Sequence, residues 1–149
     1  MTMAIEIRVL GTDDAAVLRR VARGVFDGPV DPRWSAEFFA DARHHLAVAI
    51  DDDEVVGMAS GVHYVHPDKA PELWINEVGV APSHRGHGIG RRLLDALLEH
   101  GRVLRCRNAW VLTDGPNPPA ERLYESAGGV ADPVGGKLYA FDLKASGPA

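Results

Sequence analysis

Six residues in the middle of the chain, Arg85-Gly86-His87-Gly88-Ile89-Gly90, combine backbone freedom with positive charge. Before them, Trp74-Ile75-Asn76-Glu77-Val78-Gly79-Val80 reads as a strand. After them, Arg91-Arg92-Leu93-Leu94-Asp95-Ala96-Leu97-Leu98 reads as an amphipathic helix. A strand, a short glycine-rich turn and a helix together make an anion site. The first turn of a helix has free backbone N–H groups and a partial positive charge, and glycines let a phosphate approach that backbone closely. The ligand implied is a phosphorylated cofactor. The competing reading is a turn that only joins strand to helix. A dinucleotide-binding βαβ unit fits less well, because the glycines are spaced G-x-G-x-G and not G-x-G-x-x-G.

Hydrophobic periodicity predicts the elements that must hold this turn. Ala4 to Leu10 alternates as a strand, and a helix is expected from a Thr12 cap through the apolar face Val17, Leu18, Val21, Val25 and Phe26. Phe26 to Pro32 breaks it, and a second helix is expected over Ser35 to His44. Leu46 to Ile50 and Glu54 to Val65 read as a hairpin around Asp51-Asp52-Asp53. Pro67 to Glu72 reads as a loop and Leu73 to Val80 as a strand. The helix after the glycine turn runs to about Leu104, with Ile89, Leu93 and Leu97 as its buried stripe. Asn108 to Thr113 is a strand, and Pro118 to Ala127 a helix with proline at its first position and Gly128-Gly129 after its end. Lys137 to Leu143 is expected as a final strand, and 145–149 as a loose tail. The order is β-α-α-β-β-β-α-β-α-β, an α/β sheet with an antiparallel half and a parallel crossover half.

With 149 residues and no internal repeat or linker, residues 1–149 are expected to form a single domain. The net charge of −5 argues against non-specific nucleic-acid binding and permits a cationic substrate. One cysteine, Cys106, excludes an intrachain disulfide and a cysteine-based zinc site. His63-x-x-His66 places its side chains on opposite strand faces or across a turn, and His44-His45 is read as a helix end, so no metal is expected. Apolar runs are too short to span a bilayer, and no signal-like leader opens the chain, so no membrane partner and a cytoplasmic location are expected.

These residues resemble the GNAT superfamily of acetyl-coenzyme A-dependent N-acetyltransferases. Arg85-Gly86-His87-Gly88-Ile89-Gly90 matches that family's [Gln/Arg]-x-x-Gly-x-[Gly/Ala] turn. Asn117-Pro118-Pro119-Ala120-Glu121-Arg122-Leu123-Tyr124 matches its Asn-x-x-Ala-x-x-Leu-Tyr helix, and Gly128 follows. The likeness covers nearly the whole chain in element order and implies a mixed central sheet of about six to seven strands with helices on both faces. Within the superfamily the chain looks most similar to small aminoglycoside 3-N-acetyltransferases, through Val55 to Ala59, Ile75 to Val80 and Pro119 to Tyr124. It departs from them at Glu77, where Asp is expected, and carries its own loop over Asp27 to Trp34.

The resemblance implies that acetyl-coenzyme A, as co-substrate, is held through its diphosphate by Arg85, Gly86, His87, Gly88, Ile89, Gly90 and Arg91, with Arg92 adding charge. Pantetheine is expected to pair with the exposed backbone of Val78, Gly79 and Val80 by strand addition. Asn117 is expected to bond pantetheine, to cap its helix, or both, beside Ala120. Tyr124 is the candidate acid, since a phenol with a pKa of about 10 can protonate a departing thiolate with a pKa of about 8.5. The alternative is a tyrosine packed in the core. Glu77 is the candidate base or counter-ion for the ammonium, because an unpaired carboxylate in an apolar strand is expected to face a cleft. Its alternative is an outward strand-edge acid. Asp27, Asp31 and Asp114 are candidate acceptor-binding acids. Trp34, Phe38, Tyr64 and Trp74 are expected to shape the acceptor pocket or an oligomer surface. The acceptor is expected to be a small-molecule amine of aminoglycoside type, which would make this a resistance enzyme. Other small amines, protein amino groups, a non-catalytic acyl-coenzyme A sensor and a homodimer all stay open.

Overall fold

The chain was analysed as a computed structural model that describes residues 4–144. The tail expected over 145–149 lies outside them. One sheet holds five strands in chain order, β1 Glu6–Leu10, β2 His44–Asp51, β3 Glu54–His66, β4 Lys69–Val80 and β5 Asn108–Val111. The first four pair antiparallel, and β5 joins β4 in parallel. Three α-helices accompany them, α1 Pro32–Ala40, α2 Ile89–Val103 and α3 Pro118–Ser126. The helix between β4 and β5 supplies the long crossover that a parallel pair requires.

One face of the sheet is covered by α2, whose Ile89, Leu93, Leu94 and Leu97 are buried. Two β3 glycines let it come close: a methyl at Gly57 would lie 2.9 Å from Leu93, and one at Gly61 would lie 3.5 Å from Leu97. Each buried leucine contributes about 1.5–3 kcal/mol of transfer free energy. The opposite face is covered by residues before β2, with Val25 and Phe39 in the core. No helix of the described residues is long and apolar enough to cross a membrane.

Several expected elements differ. The helix read from Thr12 to Phe26 is a 3₁₀ turn over Ala15–Arg19. Thr12 is not its cap; the Asp14 carboxylate instead turns back to accept from the Gly11 N–H at 2.7 Å. After that turn, Ala22 N–H donates to the Val55 carbonyl and Val55 N–H to the Arg20 carbonyl, so tertiary pairing with β3 draws the segment out of helix. The second helix begins at Pro32, not Ser35, and ends before His44, which opens β2. Asp31-Pro32, read as a breaker, is an N-cap followed by proline at the first helical position. The expected loop from Pro67 to Glu72 is shorter, because β3 and β4 turn around Pro67-Asp68 and pair again at His66 and Lys69.

The sheet has five strands among the described residues, not six or seven, because Lys137–Leu143 forms none. Tyr139 and Phe141 are exposed there despite the alternation. β5 is only four residues long, so a returning strand would gain few ladder bonds. Against that stands the ordering cost of a connection rich in glycine from Gly128 to Gly136.

Candidate functional site

An open stretch of strand edge arises because β4 outruns β5. Their pairing ends at Ile75 and Val111, whereas β4 continues to Val80. Along residues 76–80 the β4 edge that faces away from β3 has no strand partner among the described residues. The pairing of β3 with β4 slips here as well: Ser60 faces Glu77 and Gly61 faces Ile75, leaving Asn76 as the extra residue of a bulge. A bulge shifts the alternation of side chains. Before it, Leu73 and Ile75 are buried; after it, Val78 and Val80 take their side of the sheet, and Glu77 with Gly79 faces the other.

The glycine turn follows β4. Arg85 Nε donates to the Val80 carbonyl at 3.1 Å and ties the turn to the strand end. Gly86 and Gly88 have φ of 80° and 75°, left-handed values that suit glycine, and a Cβ at either would meet no atom within 4 Å. Gly88 caps α2 without a side-chain bond. The first turn of α2 thus has no side chain capping its amides, and the glycines before it leave open space at their Cβ positions. His84 bridges Ser83 Oγ at 2.8 Å and Asp51 Oδ2 at 2.7 Å, anchoring the entry to the turn. His87 is exposed. Arg91 pairs with Asp95, and Arg92 donates to the Ile5 carbonyl at 3.0 Å, so Arg92 is tied to the residue that leads into β1 rather than to the turn.

The second motif lies on α3. Asn117 Oδ1 accepts from the Ala120 N–H at 3.3 Å and caps the helix. A methyl at Gly90 would lie 3.6 Å from Leu123 and 3.9 Å from Val80, so the strand end, the glycine turn and the Asn117–Tyr124 helix meet at Gly90. Tyr124, next to Leu123, is half-buried, and burial pushes its phenol pKa up. A phenol is protonated at neutral pH in any case, and burial moves it further in that direction.

The other expected site residues are less concentrated. Glu77 is exposed on the face opposite α2. Asp31 lies at the mouth of a cavity of about 230 Å³, but its Oδ1 accepts the Arg33 and Trp34 amides as the cap of α1. Asp27, with Arg19 and Arg23, borders an adjoining cavity of about 600 Å³ that shares Leu18, Phe26 and residues 28–30 with the first. Asp114 is exposed in the segment after β5. Asp27 and Asp31 thus lie in neighbouring cavities, and Glu77 and Asp114 line neither. Trp34 and Phe38 do line the cavity beside Asp31. Tyr64 and Trp74 do not; the Tyr64 hydroxyl donates to Glu72, which also accepts from Trp110 Nε1. Sequence reasoning missed Phe26, Phe39 and Ser60 as cavity walls. The hidden signal for Ser60 was the bulge that sets it opposite Glu77.

His45 is not at a helix end. It is buried in β2, between His63 at 2.7 Å and His100 at 3.0 Å. Burial, then repulsion from His100, His63 and His44, lowers its pKa to about 4. The central ring spends both nitrogens in this chain. Among the described residues no three His, Cys, Asp or Glu side chains converge as a metal site. Cys106 borders a cavity below the far end of α2, and burial raises its thiol pKa.

The chain belongs to the acetyltransferase (GNAT) family, whose model matches residues 16–129. It is 36% identical over 126 residues to mycothiol acetyltransferase of Thermomonospora curvata, an alignment covering 79% of this chain and 41% of that relative. The chain therefore spans about two-fifths of that relative's length. In fold it is similar to an aminoglycoside acetyltransferase from an uncultured soil metagenomic sample, with a TM-score of 0.77, 16% identity, and 93% and 97% of the two chains covered. It is also similar to aminoglycoside N-acetyltransferase AAC(6')-Iy in complex with CoA, with a TM-score of 0.73, 18% identity, and 97% and 98% covered. At such identities these likenesses establish the fold. The family and its relatives are consistent with an acetyl-coenzyme A-dependent N-acyltransferase. The narrower likeness to aminoglycoside 3-N-acetyltransferases is not confirmed: the relative above is a mycothiol acetyltransferase, and neither fold neighbour is named as a 3-N enzyme.

Proposed function

We propose that the chain transfers an acetyl group from acetyl-coenzyme A to a primary amine by direct attack, without an acyl-enzyme. The observation that carries this is the opening where β4 outruns β5, flanked by the uncapped first turn of α2. The open space around Gly86 and Gly88 fits a diphosphate, since a Cβ there would occupy the approach that a phosphate oxygen needs. The amides of residues 85–91 would hold it, and the free β4 edge at Val78–Val80 would pair with pantetheine. Asn117 and Ala120, on the helix that meets Gly90 through Leu123, would contact the same co-substrate. Bound there, the co-substrate supplies the acetyl carbon: a C–N bond forms to the amine as the C–S bond breaks.

Two side chains move the protons. Glu77 accepts one from the acceptor ammonium, directly or through water, and so frees the nitrogen lone pair. Tyr124, whose phenol pKa burial raises, donates its hydroxyl proton to the departing sulfur, and the second proton, shed by the attacking nitrogen as it becomes an amide, restores the phenol. Cys106 has a raised pKa and lies at the other end of α2, which disfavours a thiolate nucleophile. An aminoglycoside acceptor has in its favour the names of two fold neighbours. The scattered acids favour a smaller amine.

Calorimetry with acetyl-coenzyme A and thiol release with a panel of amines test the reading together. Heat on binding, turnover with at least one amine, and loss of turnover in Tyr124→Phe and Glu77→Gln are expected. Binding without any turnover would leave a sensor of acyl-coenzyme A. No heat at all would remove the cofactor site.

A further inference from the structure

The cavity of about 230 Å³ between α1 and the sheet points to the class of acceptor. We infer that it receives an apolar group of the acceptor, so the substrate is a compact amine carrying an aromatic or branched aliphatic group, not a polycationic sugar. This inference rests on the acetyltransferase reading above and specifies its second substrate.

Three observations carry it. The first is continuity. Leu46, Ser60 and Glu77 stand opposite one another on β2, β3 and β4. Leu46 and Ser60 form the floor of the cavity. Directly opposed side chains on paired strands have Cβ atoms about 4.5–5.5 Å apart. The candidate base therefore stands one strand beyond the cavity floor. A group seated on Ser60 would reach Glu77 with an amine on a linker of about two carbons.

The second observation is chemistry. Phe26, Trp34, Phe38, Phe39 and Leu46 supply the walls, and the only ionisable side chain among them is Asp31. Its Oδ1 is already held by two amides. An apolar cavity of about 150 Å³ is enough to hold a benzene ring, so this one has room for a ring and part of a linker.

The third is charge. The residues that cover this face, 15–40, carry Arg19, Arg20, Arg23 and Arg33 against Asp27, Asp31 and Glu37, in a chain whose net charge is −5. The Arg33 guanidinium sits 4.3 Å from the centre of the Trp34 ring, at the cavity wall. A ligand with several ammonium groups would meet a cover in which four guanidinium groups outnumber three carboxylates. A single ammonium directed at Glu77 would not.

The test is a thiol-release assay on the intact chain at saturating acetyl-coenzyme A. 2-Phenylethylamine and 3-methylbutylamine are compared with ethanolamine and kanamycin. The expected result is a kcat/KM for 2-phenylethylamine at least about tenfold above that for ethanolamine, the scale on which an apolar pocket discriminates. Ser60→Leu fills the floor and is expected to raise KM for 2-phenylethylamine about tenfold, narrowing its lead over ethanolamine. Trp34→Ala removes a wall that is 57% exposed, so it leaves folding intact, and narrows the same ratio. Preference for kanamycin, or an equal fall for both small amines in both variants, overturns the inference while leaving the acetyltransferase reading standing. Turnover of none of the four, with acetyl-coenzyme A bound, overturns the inference, and only failure of the whole amine panel removes the acetyltransferase reading.

Discussion

The two faces of the sheet are closed in different ways. Over one, the fifteen-residue α2 lies close, with Leu93 and Leu97 fully buried against strands thinned by glycine. Over the other lie a 3₁₀ turn, an irregular stretch and the nine-residue α1, of which only Phe39 is buried. Cavities of about 230 and 600 Å³ remain there. Dense packing fixes geometry, because it has few alternative arrangements. The α2 face thus suits a ligand that never changes, a diphosphate on a helix end. The looser face suits a ligand that differs between relatives, because loops and short helices can be exchanged without repacking the core.

The sharpest way to break this division is at the residues proposed to move protons. Glu77→Gln and Tyr124→Phe should each lower kcat by about 10²–10⁴, with calorimetric affinity for coenzyme A retained. Glu77 belongs to the looser face and Tyr124 to the helix that meets α2, so Glu77→Gln should also weaken acceptor binding while Tyr124→Phe should not. Next in size is Gly79→Ala. A methyl there would collide with the Val25 carbonyl, where the covering segment presses on β4. The expected cost is about 1–3 kcal/mol in urea unfolding, with a raised KM for the amine. A larger effect on coenzyme A affinity than on amine KM would show that the two faces are not separable.

Acid should act from the α2 side. An unfolded histidine titrates near pH 6.5, whereas His45 in the folded chain is lowered to about 4, chiefly by burial. Between those values the unfolded chain binds the extra proton, so stability should be constant above about pH 6.5 and fall as the pH drops toward 4. Urea midpoints across that range check the sign; a midpoint that rises on acidification contradicts it.

How much of this was legible in the sequence follows the same division. The glycine turn, α2 and the Asn117–Tyr124 helix were readable because each depends on local rules: apolar periodicity, a proline at a helix start, glycines where φ is positive. Val78–Val80 was placed at a free edge by the family resemblance, not by a local rule. The looser face was not readable. Residues 20–22 pair with β3 through a contact more than thirty positions away, and no local pattern shows that. The bulge at Asn76, which turns Glu77 away from α2, depends on register with β3. Asp27, Asp31 and Asp114 were grouped because they fall in loops, but only the folded chain separates them. Lys137–Leu143 has the alternation of a strand, yet alternation cannot supply a long enough partner.

The smallest expected effect sharpens the comparison most directly. Asp31 holds the first turn of α1 by accepting from Arg33 N–H at 2.8 Å and Trp34 N–H at 3.3 Å. Asp31→Ala removes that cap and should cost about 1 kcal/mol of stability. Because α1 contributes only Phe39 to the core, the loss should be felt first as fraying at Pro32–Trp34, beside the cavity mouth. Hydrogen exchange should accelerate at the amides of Arg33 and Trp34 and stay unchanged in α2. If α2 loosened equally, the helix over the cavity would be part of one cooperative unit with the cofactor face, and independent variation of the two sites would lose its physical basis.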